Sequence, residues 1–282
     1  MKFWLKASGY CTASASHALR GAARRSIRFY ATWGLIEHPQ AGWVLFDTGY
    51  TPRFYEETAR LPGWLYSKMT PVFVQPDETA AAQLHALGID PAAVRHVIVS
   101  HYHADHVAGM RDFPQATFYS SQVAIDQALH LQGWRALRYG ILPGLLPPDL
   151  AERVRAVDTG GFATCEVPVL GRGVDLFGDG SIRLVALPGH AAGQMGALLR
   201  TDRGQVLLMA DAAWLRENYL HPTLPHPIVR TFFHSWRDFR ESLHKVHTFA
   251  RQYPDTLMIP CHCEATMRAV MEVQTDPAPH TS

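Results

Sequence analysis

The chain has 282 residues, 18% of them charged, and a formal net charge of +1, a balance that gives no strong field for nucleic acid or an anionic membrane surface. A small or neutral substrate fits better. Four cysteines, Cys11, Cys165, Cys261 and Cys263, scattered over so long a chain exclude a dense disulfide framework and point to reduced thiols in a cytosol.

In chain order, Met1 to Lys6 reads as a first strand (Phe3 to Leu5) rather than a transit peptide, and Ser8, Thr12, Ser14, Ser16 and His17 interrupt any apolar signal core. No apolar run approaches the roughly 20 residues needed to span a bilayer, so a cytoplasmic protein with no membrane partner is expected. Further strand-like runs are Ile27 to Ile36, Val44 to Phe46, Val97 to Val99, Thr117 to Tyr119, Ile182 to Leu187, Gln205 to Met209 and Thr256 to Ile259. Between them, Asp77 to Leu87 is an alanine-rich helix, with Pro76 before it and Gly88 after it as start and stop signals. The segment from Gly133 to Leu150 mixes Trp134, Tyr139, Ile141, Leu142, Leu145 and Leu146 with Pro143, Pro147 and Pro148. It is an apolar loop or short-helix region, serving either as core or a homodimer contact, or as a wall of a substrate pocket. From Ser235 to Tyr253 a helix is capped by Ser235, and Trp236, Phe239, Leu243, Val246 and Phe249 share its buried face. No stretch before the end reads as a linker, so a single domain over residues 1–274 is expected, followed by a disordered tail over 275–282. This order of strands and helices argues for an α/β layer structure with its site along one sheet edge.

The chemistry is concentrated in Ser100-His101-Tyr102-His103-Ala104-Asp105-His106, directly after an apolar strand. Alternate residues at a strand end point the same way, so His101 and His103 can share one cation while Asp105 and His106, past the turn, face a second. Sixteen histidines can cluster by chance. A chance cluster would not, however, be accompanied by imidazole and acid groups at later strand ends, where His190, Asp211 and His262 stand. Cys261 and Cys263 flank His262, but strand neighbours point to opposite faces, so packing rather than ligation is expected of them.

With that set assembled, the chain resembles the metallo-β-lactamase superfamily. Within it the N-acyl homoserine lactonases are most similar, through Leu35-Ile36-Glu37-His38-Pro39, Phe46-Asp47-Thr48-Gly49, Leu87-Gly88-Ile89, Leu187-Pro188-Gly189-His190 and Asp211-Ala212-Ala213 leading to Glu217-Asn218. The resemblance implies an αβ/βα four-layer sandwich. It places one zinc on His101, His103 and His190 and the other on Asp105, His106 and His262, with Asp211 and a hydroxide bridging; iron, manganese or cobalt would also suit such donors. Asp47 would orient ligating histidines.

Two positions depart from the family pattern. Where lactonases carry a tyrosine that aids the substrate carbonyl or leaving group, this chain has Trp214, whose indole can donate one hydrogen bond but cannot transfer a proton; Tyr219 or Tyr102 could stand in. Gln194 replaces a histidine that the longer pattern often repeats, which should alter only local packing. The implied activity is opening of a lactone or a similar carboxylic ester by a metal-bridging hydroxide, with Asp105 and Asp211 as the catalytic carboxylates and a quorum-quenching role. An apolar acyl part of the substrate would lie against Trp134, Tyr139, Leu142, Trp214 and Tyr219. Rivals on the same fold are a thioesterase, a glyoxalase-like hydrolase, a phosphodiesterase and an iron dioxygenase. From another class, the missing tyrosine motivates a binding protein that keeps its metals with little turnover.

Overall fold

A computed structural model describes residues 1–277. Thirteen strands are formed among the described residues: β1 Lys2–Ser14, β2 Ser26–His38, β3 Gly42–Phe46, β4 Val72–Phe73, β5 Val94–Ile98, β6 Thr117–Ser120, β7 Val154–Ala156, β8 Ala163–Val167, β9 Gly171–Asp175, β10 Ile182–Ala186, β11 Met195–Thr201, β12 Gly204–Leu208 and β13 Leu257–Ile259. They make two mixed sheets, ordered β4-β1-β2-β3-β5-β6-β7 and β13-β12-β11-β10-β9-β8. In the first, β3, β5, β6 and β7 run parallel; in the second only β12 and β13 do.

Side-chain alternation along the strands builds the layers. Leu35 and Ile36 are both fully buried on opposite faces of β2. Leu35 packs outward with Trp33, Leu45 and Val97, under the helices Ala80–Ala86 and Gln122–His130. Ile36 packs inward with Phe3, Val44 and Ile98 against Leu184, Leu199 and Leu208 of the second sheet. The outer face of that second sheet, with Val185, Leu198 and Leu207, is covered by Phe239, Leu243, Val246 and Phe249 of the helix Trp236–Gln252. The result is the expected αβ/βα sandwich, with apolar residues on both faces of each central strand.

The long helix forms as its sequence dictates, with the Ser235 side chain accepting from the Asp238 N–H at 3.3 Å. Asp77 to Leu87 is instead a 3-10 turn, Pro76–Glu78, followed by the helix Ala80–Ala86. Thr79 breaks them apart because its hydroxyl accepts from the Ala82 N–H at 3.2 Å and so caps the second. In the segment expected to form the tail, the Trp4 indole donates to the Thr275 carbonyl at 2.6 Å, and Lys6 pairs with Asp276. Residues 278–282 lie outside the described residues. Among the described residues no helix is long and apolar enough to cross a membrane.

Candidate metal centre

Every residue singled out for metal chemistry stands just past the C-terminal end of a strand. Asp47 follows β3; His101 and His103 follow β5; Asp105 and His106 lie on the one-turn helix Ala104–Val107; His190, Asp211 and His262 follow β10, β12 and β13. The two sheets meet there. The Met195 N–H at the start of β11 donates to the Ser100 carbonyl at 3.0 Å, and the Asp47 N–H donates to the Ile98 carbonyl at 2.8 Å. Gly189 lets the chain pass the long helix: its φ of +126° suits glycine, and a Cβ there would lie 2.0 Å from the Phe239 nitrogen.

The donor atoms converge. Candidate ligand atoms of His101, His103 and His190 lie within 4.8 Å of one another, and the same holds for Asp105, His106 and His262 and for His101, His106 and Asp211. The His190 Nε2 is 2.9 Å from the His103 Nδ1 and 3.1 Å from the Asp211 Oδ2, while the His106 Nε2 is 3.1 Å from the Asp211 Oδ1.

Partners outside the cluster set which nitrogen each ring turns inward. Asp47, buried and in the left-handed region at φ 60°, accepts from the His106 Nδ1–H at 2.7 Å and from both the N–H and the hydroxyl of Ser100 at 2.8 Å. Since the Ser100 hydroxyl donates to Asp47, it accepts from the His101 Nδ1–H at 3.0 Å. One carboxylate thus fixes two imidazoles, directly and through Ser100. The His262 Nδ1 donates to the Tyr30 carbonyl at 2.9 Å and the His103 Nε2 to the Tyr139 carbonyl at 3.1 Å. Gly140 makes the second contact feasible, since a Cβ there would meet the His103 ring at 2.5 Å.

Cations suit these residues on the structure's own evidence. The His101 Nε2 and His106 Nε2 are buried without a hydrogen-bond partner among the described residues, an expense that coordination would remove. At the first of these groups the protonation states agree. Burial, reinforced by neighbouring imidazoles, pushes His101 well below the ordinary range and His190 down to about 3, so both present lone pairs. Burial would raise Asp211, but His190, His262 and His106 outweigh it and hold the carboxyl well below the usual carboxylate range, ionised.

A cavity of about 550 Å³ opens onto the cluster, lined by His103, Asp105, His190, Asp211 and His262 together with Phe29, Tyr50, Tyr66, Met69 and Trp214. Of the residues expected to form a substrate wall, only Trp214 lines this cavity. Trp134 is 61% exposed, turned outward on the helix Gly133–Arg138 because Ala136 takes the buried side. Tyr139 contributes its carbonyl to His103; Leu142 packs into the core with Tyr50 and Phe54. Tyr219 is buried beside the long helix, where its carbonyl accepts from His247 at 2.7 Å. Tyr102 sits between two inward-facing histidines and so packs into the outer core of the first sheet. Gln194 donates to the Leu187 carbonyl at 2.8 Å, a local packing role.

Sequence reasoning also missed contributors. Ser100, adjacent to the motif, carries the link to Asp47. Tyr50 and Tyr66 bring phenols to the cavity, and burial followed by nearby acidic groups pushes both well above the usual range, so they remain protonated donors. Cys261 does not merely pack: its Sγ–H donates to the Asp211 Oδ1 at 2.9 Å. Strand alternation does not govern it, because β13 ends at Ile259 and Cys261 and His262 occupy a turn. All four cysteines are free.

Residues 27–262 match the family model of the metallo-beta-lactamase superfamily. The N-acyl homoserine lactonase AttM of Azorhizobium caulinodans is 30% identical over 219 residues, covering 77% of this chain and 76% of that protein. AttM of Agrobacterium fabrum is 28% identical over 225 residues, covering 79% and 78%. An N-acyl homoserine lactone hydrolase solved with N-hexanoyl-L-homoserine at its catalytic metal centre superposes with a TM-score of 0.71 at 17% identity, covering 95% of each chain. The dizinc quorum-quenching lactonase AidC superposes at 0.61 with 14% identity, over 93% of this chain and 87% of its own. Fold, converging donors and sequence likeness agree that this chain belongs to the metallo-beta-lactamase superfamily, as a hydrolytic enzyme similar to the N-acyl homoserine lactonases.

Proposed function

We propose that the chain is a dinuclear metal-dependent hydrolase that opens N-acyl homoserine lactones or closely similar carboxylic esters. The observation that carries this reading is the donor set on the cavity wall: His101, His103 and His190 would hold one cation, Asp105, His106 and His262 the other, and Asp211 would reach both. Zinc suits the mixture of imidazole and carboxylate donors. Two such cations, when bound, would supply Lewis acidity and lower the pKa of a coordinated water to roughly 7.

The remaining work falls to side chains. Asp105 on the cavity wall can take the proton released as water attacks the carbonyl and hand it to the departing alkoxide, while Asp211, held ionised within its ring of imidazoles, would serve as a ligand. Tyr66 keeps its phenol proton and can donate a hydrogen bond to the carbonyl oxygen, the service expected of the tyrosine that Trp214 replaces. Phe29, Met69 and Trp214 offer apolar surface to an acyl chain. That surface and the likeness to AttM favour lactones over the other esters of this superfamily.

Metal-loaded protein assayed on lactones of graded acyl length, thioesters and phosphodiesters tests the substrate class. Hydrolysis of the lactones is expected. Lactones inert at every length beside active turnover of thioesters or phosphodiesters would show that the class is wrong.

A further inference from the structure

Asp211 is gripped from behind. The Trp214 Nε1–H donates to its Oδ2 at 2.8 Å and the Cys261 Sγ–H to its Oδ1 at 2.9 Å, one donor for each oxygen. An ionised carboxylate has about four acceptor sites, two on each oxygen. With one filled on each side, one remains on each side. Imidazoles of both ligand groups face them: the His106 Nε2 is 3.1 Å from Oδ1, while the His190 Nε2 at 3.1 Å and the His262 Nε2 at 3.4 Å both face Oδ2.

Both donors are themselves anchored. The Trp214 carbonyl accepts from the His262 N–H at 3.1 Å, and its ring sits among Phe29, His190 and Phe233 at centroid distances of 5.5 to 5.7 Å. The Cys261 carbonyl accepts from the Thr32 hydroxyl at 2.6 Å, which ties it to β2. The Trp214 ring is thus held by its aromatic neighbours and the Cys261 backbone by the Thr32 hydroxyl.

We propose that Trp214 and Cys261 are positioning residues that lock the torsion of the Asp211 carboxylate, holding its free acceptor sites toward the imidazoles of both ligand groups. The indole N–H is then committed to the protein. Trp214 does not substitute for a substrate-contacting tyrosine; it serves the metal centre, and the thiol serves it as a hydrogen-bond donor rather than as a thiolate ligand. This rests on the metal-ligand part of the proposed function and is independent of the substrate class, so failure to hydrolyse lactones would leave the test below intact.

The test compares release of bound metal to a chelator by the loaded wild type, Trp214→Phe, Cys261→Ala and Cys261→Ser. Phenylalanine keeps an aromatic wall and removes the donor; serine keeps a donor where alanine does not. Trp214→Phe and Cys261→Ala should each release metal about ten- to a hundredfold faster. Cys261→Ser should behave as the wild type, which separates a hydrogen-bonding role from packing, and the thermal unfolding of each metal-free variant reports any loss of fold separately. Trp214→Phe that holds metal like the wild type while KM rises for long-chain lactones would reduce Trp214 to a pocket wall and overturn the proposal. So would a thiolate-to-metal charge-transfer band in the cobalt-loaded protein that disappears in Cys261→Ala, since the thiol would then be a ligand.

Discussion

Ser100 shows how much of the centre depends on one small hydroxyl. It bridges Asp47 and His101, so its removal deprives one carboxylate of a donor and one imidazole of its acceptor. Ser100→Ala should therefore leave the fold intact and weaken metal retention about ten- to a hundredfold, read as metal content after dialysis against a chelator. The candidate ligand residues that converge here were legible in the sequence because chemistry restricts metal donors to a few residue types at strand ends. Of their supports only Asp47 was, through the family resemblance. A backbone carbonyl such as that of Tyr30 or Tyr139 carries no residue-type signal, and serine next to a histidine motif is too common to single out.

At the scale of elements, periodicity made the helix Trp236–Gln252 readable down to its cap, because one face had to be apolar to cover the second sheet. Phe239, 1% exposed and packed against Phe233 and Trp236, anchors that face. Phe239→Ala should cost about 3 to 5 kcal/mol, measured by chemical denaturation of the metal-free protein. The strand β11 escaped notice for the converse reason: Met195 to Leu199 are buried without interruption, so no alternation marks them. Few residues of the β8 and β9 hairpin are buried, and its apolar content is too low for a pattern. The pocket wall was misplaced because it is assembled from residues 11–14, 24–26 and 66–70, segments far from the metal motif in sequence, whereas the apolar residues around 141–146 were drawn into the core.

For the whole molecule, the two ligand groups should respond differently to acid. Burial, with help from neighbouring imidazoles, depresses His101 and His190, so those rings are already unprotonated at neutral pH and a cation there displaces no proton. Burial also opposes charge on His106 and His262, but Asp105 and Asp47 at the first and Asp211 at both outweigh it and raise them above the ordinary imidazole range. A cation bound there must compete with protons, and that competition begins at a higher pH than at the first group. Metal content followed by equilibrium dialysis from about pH 8 to about pH 5 should fall first by one equivalent, the one held by Asp105, His106 and His262. Simultaneous loss of both would contradict this order.

The donors come from both sheets: His101 to His106 from the end of β5 in the first, His190, Asp211 and His262 from the ends of β10, β12 and β13 in the second. Bound ions would therefore act as a reversible cross-link between two halves of the sandwich, with a strength set by the surroundings and not by the chain alone. By mass action, free metal at a hundredfold excess over its dissociation constant adds about 2.7 kcal/mol for each site that unfolding destroys. The melting temperature of this protein is then no fixed property. It should climb with the logarithm of buffered free metal, and a cell that withholds the ion would loosen the seam between the sheets as it silences the enzyme.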